Sequence, residues 1–88
     1  MDIEHKVYVL YSNEEDAFYV GYTADLDRRM REHQAGQTYS TSRRQGLKLI
    51  FYEAYLSKQD ALRRELYLKT SKGKKALKLM LRETLAGE

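Results

Sequence analysis

Eighty-eight residues allow one domain, and a chain this short buries only roughly 60% of its unfolded surface, so its core is thin. With no cysteine it can form neither a disulfide nor a thiolate metal site, and no stretch approaches the roughly 20 apolar residues of a membrane-spanning helix. The net charge of +3 is unevenly spread: residues 1–17 carry five acids against Lys6, and residues 57–88 carry nine Lys/Arg against four Asp/Glu. That asymmetry fits either a polyanionic partner, nucleic acid being the commonest, or a set of solvated helix faces. No basic leader precedes an apolar run, which leads to the expectation of an unprocessed cytoplasmic protein without a membrane partner.

In chain order, "KVYVLYS" (6–12) alternates Val7, Val9 and Tyr11 with Tyr8 and Leu10 and reads as a strand. "SNEEDA" is a polar turn, and "FYVGYT" (18–23) is a second strand that closes a hairpin. Gly21 in its middle suggests a close backbone approach or a bulge rather than ordinary pairing. Thr23 or Asp25 caps a helix over about residues 25–36, with Leu26 and Met30 facing inward and Gly36 at its end. "GQTYSTSRRQG" (36–46) is a loop dense in hydroxyls.

The most strongly β-forming segment, "LKLIFYEAYL" (47–56), is expected to be a central strand. Ser57 and Asp60 form a capping box that opens a helix through "ALRRELYLK", with Ala61, Leu62 and Leu66 as its apolar stripe. "TSKGKKALKLMLRETL" (70–85) is a final amphipathic helix with Ala76, Leu77, Met80 and Leu81 at helical spacing. The resulting order, β-β-α-β-α-α over residues 1–88, is a single α+β domain: a small three-stranded antiparallel or mixed sheet flanked by helices. One sheet face must be buried under helices. The other can stay open and carry Tyr8 and Tyr19 as a platform.

Three groups of residues could carry chemistry. Tyr8 and Tyr19 sit on neighbouring strands, where two phenols stand side by side or two half-buried rings simply pack. Arg29 and His33, four apart, share a helix face; His33 near the helix C-terminus is also what the helix dipole favours. Glu65 borders an apolar stripe, where it either pairs with Lys69 as an i,i+4 ion pair or holds a hard cation such as Mg²⁺. No phosphate-binding glycine loop, H-E-x-x-H pair or serine triad competes with these.

Together these residues resemble the GIY-YIG nuclease superfamily. Its first signature triplet corresponds to Lys6-Val7-Tyr8 and its second to Tyr19-Val20-Gly21, followed by "YTADLDRRMREH" and by Glu65 within "ALRRELYLK". The resemblance spans about residues 6–82 and is nearest the small single-domain bacterial branch, which is similar to the N-terminal nuclease domain of the excision-repair endonuclease of DNA repair. It departs at Lys6, in place of the first signature glycine, and at Tyr22, where repair relatives often carry lysine.

The resemblance implies a divalent-metal-dependent endonuclease acting on DNA. Tyr8, Tyr19, Arg29 and His33 take catalytic positions, and Glu65 holds Mg²⁺ or Mn²⁺. Either Tyr8 or His33 serves as general base. Arg28, Thr41, Arg43, Arg44, Lys72, Lys74 and Lys75 are candidate nucleic-acid contacts, suited to positioning a phosphate backbone without reading sequence. With no groove-reading helix in evidence, single-stranded or branched DNA is the favoured substrate. A nucleic-acid-binding module without turnover is the alternative.

Overall fold

The computed structural model describes residues 3–35 and 47–87. Strand β1 (His5–Ser12) turns through residues 13–16 into β2 (Ala17–Thr23), and α1 (Leu26–Gln34) follows. After β3 (Leu47–Tyr55) come α2 (Lys58–Lys69), α3 (Ser71–Met80) and the short α4 (Arg82–Leu85). All strand pairing is antiparallel, in the order β2-β1-β3.

The hairpin turn is tied by Glu15 N–H donating to Ser12 Oγ at 3.2 Å and Tyr11 Oη donating to Asp16 Oδ1 at 2.6 Å. Asp16 takes a left-handed φ of 50°, which aspartate tolerates better than most side chains.

The central strand is β1, which corrects the expectation for residues 47–56. The reason lies in both faces of the sheet. Val7, Tyr8, Val9 and Leu10 are 0, 5, 0 and 2% exposed, so consecutive residues are buried on opposite sides. β3 instead presents Lys48, Leu49, Tyr52 and Ala54 to solvent and forms an edge. Its pairing with β1 slips between Val9 and Leu10: Val9 faces Phe51 and Leu10 faces Leu49, leaving Ile50 as the extra residue of a β-bulge.

The core lies on the Val7/Val9 face. There Phe18 and both valines pack with Ala61 and Leu68 of α2, Leu77 of α3 and Leu81. Each leucine buried in this way contributes about 1.5–3 kcal/mol. In α2 the buried pair is Ala61 and Leu68, while Leu66 is 67% exposed, so the inward face is rotated from the expected stripe. Leu77 and Leu81 carry the C-terminal helices, and Met80 faces outward.

Helix caps follow the sequence signals. Asp25 accepts from Arg28 N–H at 3.1 Å, and Ser57 from Asp60 N–H at 3.3 Å. Thr70 serves two helices at once. Its hydroxyl donates to the Tyr67 carbonyl at 2.6 Å and accepts from Gly73 N–H at 3.0 Å, ending α2 and starting α3. The corner is tight because Gly73 is buried against α2. A Cβ there would overlap the Tyr67 carbonyl oxygen and lie 2.6 Å from Leu68 Cα, both backbone atoms unable to rotate away.

Gly73→Ala is therefore expected to lower stability by about 2 kcal/mol, the overpacking outweighing the roughly 1 kcal/mol that alanine gains as a helix former. Urea unfolding followed by circular dichroism checks this, and an unchanged midpoint would contradict it.

Candidate active site

Tyr8 organises the face of the sheet opposite the core. Gly21 is its direct partner on β2, paired in ordinary register. The close approach foreseen at Gly21 is thus one of a side chain, without a bulge. The Tyr8 ring lies across the glycine: a Cβ at position 21 would overlap Tyr8 Oη and Cζ and stand 2.8 Å from Cε2. A side chain at residue 21 and this phenol orientation exclude one another.

Helix α1 meets the phenol from the same side. Tyr8 Oη lies 3.0 Å from His33 Nε2, with the two rings edge to face at 5.6 Å. This contact covers Tyr8, so the face expected to be an open platform is closed at that point. No α1 residue is fully buried, and Leu26 and Met30 are half-buried.

Charges gather around the pair. Burial holds the Tyr8 phenol above its ordinary value of 10.0; the Arg29 charge pulls it down, and the Glu65 and Glu32 carboxylates push it up. His33 is held below 6.5 by burial and by Arg29, against the opposing pull of Glu32. Both shifts favour the neutral forms. The free groups already differ by 3.5 pK units, about 5 kcal/mol, so at neutral pH the proton rests on the phenol. With the imidazole proton on Nδ1, the Tyr8 O–H donates to Nε2.

Arg29 is held with an uncommitted donor. Its Nε is buried without a hydrogen-bond partner among the described residues, and Glu32 Oε1 at 3.6 Å is too far to accept. Glu32 Oε2 also faces Arg28 Nε at 3.9 Å. Glu32 is a member of the cluster that the sequence reading misses, although its i,i+3 and i,i+4 spacing from the two arginines is an available signal. A buried guanidinium N–H without an acceptor suits a phosphate oxygen.

Glu65 reaches the same cluster from α2, on the flank facing β2. Its side chain is 17% exposed, and Oε2 pairs with Lys69 Nζ at 3.2 Å. The ion pair and the border position, alternatives in the sequence, coexist. Among the described residues no three His, Cys, Asp or Glu side chains gather to hold a metal. Glu65 is a hard oxygen donor of the kind Mg²⁺ and Mn²⁺ accept, with Lys69 as its partner in this structure. The lysine ammonium already marks where a cation sits against this carboxylate.

Tyr19 shares the Tyr8 face but stands apart. It pairs with Leu10, and its hydroxyl donates to Glu15 Oε1 at 2.8 Å near the hairpin turn. Arg28 has a side chain 61% exposed, and Lys72, Lys74 and Lys75 line the solvent side of α3. Thr41, Arg43 and Arg44 lie outside the described residues.

Residues 4–78 match the family model described as the GIY-YIG catalytic domain. The chain belongs to this family, and its similar relatives are small UPF0213 proteins. One, from Natronomonas pharaonis, is 36% identical over 85 residues, covering 96% of this chain and 99% of that one. Another, from Limosilactobacillus reuteri, is 37% identical over 81 residues, covering 89% and 83%. The solution NMR structure of a UPF0213 protein from Bacillus halodurans matches with a TM-score of 0.55 at 33% identity, over 86% of this chain and 83% of that one. The family implies nuclease chemistry on a nucleic acid, typically with a divalent metal. Among the described residues no helix is long and apolar enough to cross a membrane.

The charge layout makes a spectroscopic prediction. His33 should titrate below 6.5 by NMR, and Arg29→Ala should raise its value by removing a neighbouring cation. Because the unfolded imidazole takes up its proton more readily, the His33 contribution to stability is complete above about pH 6.5. It is lost as pH falls through the depressed folded value. An unchanged His33 titration in Arg29→Ala would remove Arg29 from the cluster.

Proposed function

We propose that this domain is a divalent-metal-dependent endonuclease that hydrolyses phosphodiester bonds in DNA, directed to single-stranded or branched structure rather than to sequence. One observation carries the reading: Tyr8 and His33 share a hydrogen bond beside an arginine with a buried, uncommitted donor and a half-buried glutamate. A proton-accepting pair, a cation and a carboxylate are groups that phosphodiester hydrolysis can use, and the influence of Arg29 and Glu65 on the Tyr8 phenol supports their acting together. The match of residues 4–78 to the GIY-YIG catalytic domain supports it.

The residues divide the work as follows. A water against Tyr8 Oη gives its proton to the phenol oxygen as the phenol proton moves to His33 Nε2. The hydroxide so formed attacks phosphorus, the bond to the leaving 3′ oxygen breaks, and that oxygen takes up a proton from solvent while the imidazolium returns its own to water. Tyr8 and His33 thus act as one base unit, not as rivals for the role. Burial and Arg29 make the imidazolium unfavourable, so the proton is not retained there between turnovers.

Arg29, whose side chain is 34% exposed, offers its guanidinium to the non-bridging oxygens, where negative charge grows in the transition state. Glu65 would hold a divalent ion, which when bound would supply Lewis-acid stabilisation of developing negative charge. Tyr19 stands on the same face toward the hairpin turn, where it would meet the strand rather than the attacking water. Arg28, Lys72, Lys74 and Lys75 hold the phosphate backbone by charge, which makes binding strongly salt-dependent.

Labelled single-stranded, branched and duplex DNA incubated with Mg²⁺ or Mn²⁺ tests this reading. Cleavage of the first two is expected, with Arg29→Ala and Glu65→Ala each losing at least about 100-fold, the scale for removing one transition-state charge partner. Gly21→Ala should lose a similar factor, because the added Cβ expels the phenol. Cleavage that survives all three substitutions would rule the proposal out. Salt-sensitive binding with no cleavage would instead identify a binding module without turnover.

A further inference from the structure

Helix α2 lies unevenly across the sheet, and that creates a second concavity. At 100° per residue, Lys58, Glu65 and Lys69 fall on one flank of the helix and Asp60, Arg64 and Tyr67 on the other. The first flank meets β2, where Lys58 Nζ sits 5.9 Å from the Tyr22 ring centroid. The second meets β3, where Arg64 grips Glu53 through Nε at 2.9 Å and Nη2 at 3.2 Å. Between this second flank and the edge strand lies an open groove of about 480 Å³, lined by Tyr55, Asp60, Arg63, Arg64 and Tyr67. Its size is that of a small-molecule site, and the core of the helix separates it from Glu65.

The floor of the groove is pre-organised. Tyr55 Oη donates to Glu53 Oε1 at 2.8 Å, so one carboxylate fixes both a phenol and a guanidinium. The Arg64 guanidinium stands 5.5 Å from the centroid of the Tyr67 ring, which is 41% exposed. At the rim, Arg63 and Asp60 form a solvated ion pair at 3.0 Å, with side chains 75 and 55% exposed.

A rigid aromatic and guanidinium wall, with one anionic acceptor and one forked donor at its edge, complements a flat heterocycle carrying both donors and acceptors. Arg64 is already committed to Glu53, so the groove offers stacking rather than a phosphate clamp.

We propose that this groove seats an unpaired nucleobase of single-stranded DNA, stacked on Tyr67 and met at its edge by Asp60 and Arg63. The inference rests on the nuclease reading for its class of ligand and deepens it. Bases in a duplex keep their faces stacked on one another, so a stacking groove selects single strands without reading sequence.

The test is fluorescence anisotropy of labelled single-stranded and duplex oligonucleotides in EDTA, where no cleavage intervenes. Tyr67→Ala should weaken single-strand binding about tenfold, within the range for one base–aromatic stack. Tyr67→Phe should bind as the wild type does, and duplex affinity should not change in either variant. Because Tyr67 is partly exposed, Tyr67→Leu, which keeps the apolar bulk and removes the ring, separates stacking from folding and should match the alanine variant.

Unchanged single-strand affinity in Tyr67→Ala, an equal loss on duplex, or full binding by Tyr67→Leu would each overturn the proposal. If the groove fails in this way while Arg29→Ala still abolishes cleavage, the nuclease reading stands without it. If no DNA is cleaved but Tyr67 governs single-strand binding, the groove stands and the nuclease reading falls. Failure of any DNA to bind overturns both.

Discussion

The arrangement depends on one missing atom. Without a Cβ at Gly21, the Tyr8 ring can cross β2, and only in that position does its hydroxyl meet His33. Arg29 and Glu65 then influence a phenol that the sheet has already aimed. The constraint is steric before it is electrostatic. It acts between two residues that pair on adjacent strands, the shortest and most rigid path the backbone offers.

That geometry also determines which chemical role the phenol can take. A tyrosine that acts alone as a base needs its ionised form to be accessible. Here burial outweighs the adjacent guanidinium, and two carboxylates add to the effect, so the phenol stays protonated. The depressed basicity of His33 completes the pattern: both partners are held neutral and a hydrogen bond joins them. Burial that makes the phenol a poor isolated base leaves relay through His33 as the role we propose for it.

Much of the architecture is legible in the sequence, because alternation, caps and apolar spacing are local. Val7 to Leu10, Asp25, Ser57 and Leu77 each announce their roles. What the sequence hides concerns neighbours distant in the chain. Residues 47–56 have the strongest β composition, yet the central strand is the one whose consecutive residues are all apolar, Val7-Tyr8-Val9-Leu10. Lys48 and Glu53 are the signs of an edge. Leu66 fits by spacing a stripe that the sheet does not meet. The candidate site joins residues 8, 29, 33 and 65, and no local pattern ties such positions together; the signature triplets link them by resemblance. Glu32 is invisible as a site residue because a glutamate beside two helical arginines looks like an ordinary solvated pair.

The bulge at Ile50 carries a consequence for self-association. Three positions separate Leu49 from Tyr52, which would place them on opposite faces of a regular strand. The extra residue puts both on the Tyr8 side, opposite Leu10 and Tyr8, and they are 39 and 51% exposed. An edge bearing two apolar side chains on one face is a template for another strand. The same bulge interrupts the even ladder of backbone donors and acceptors that such a strand would need. The irregularity that gathers the exposed apolar groups therefore also blunts the edge against fibrous pairing, leaving the face available for smaller contacts.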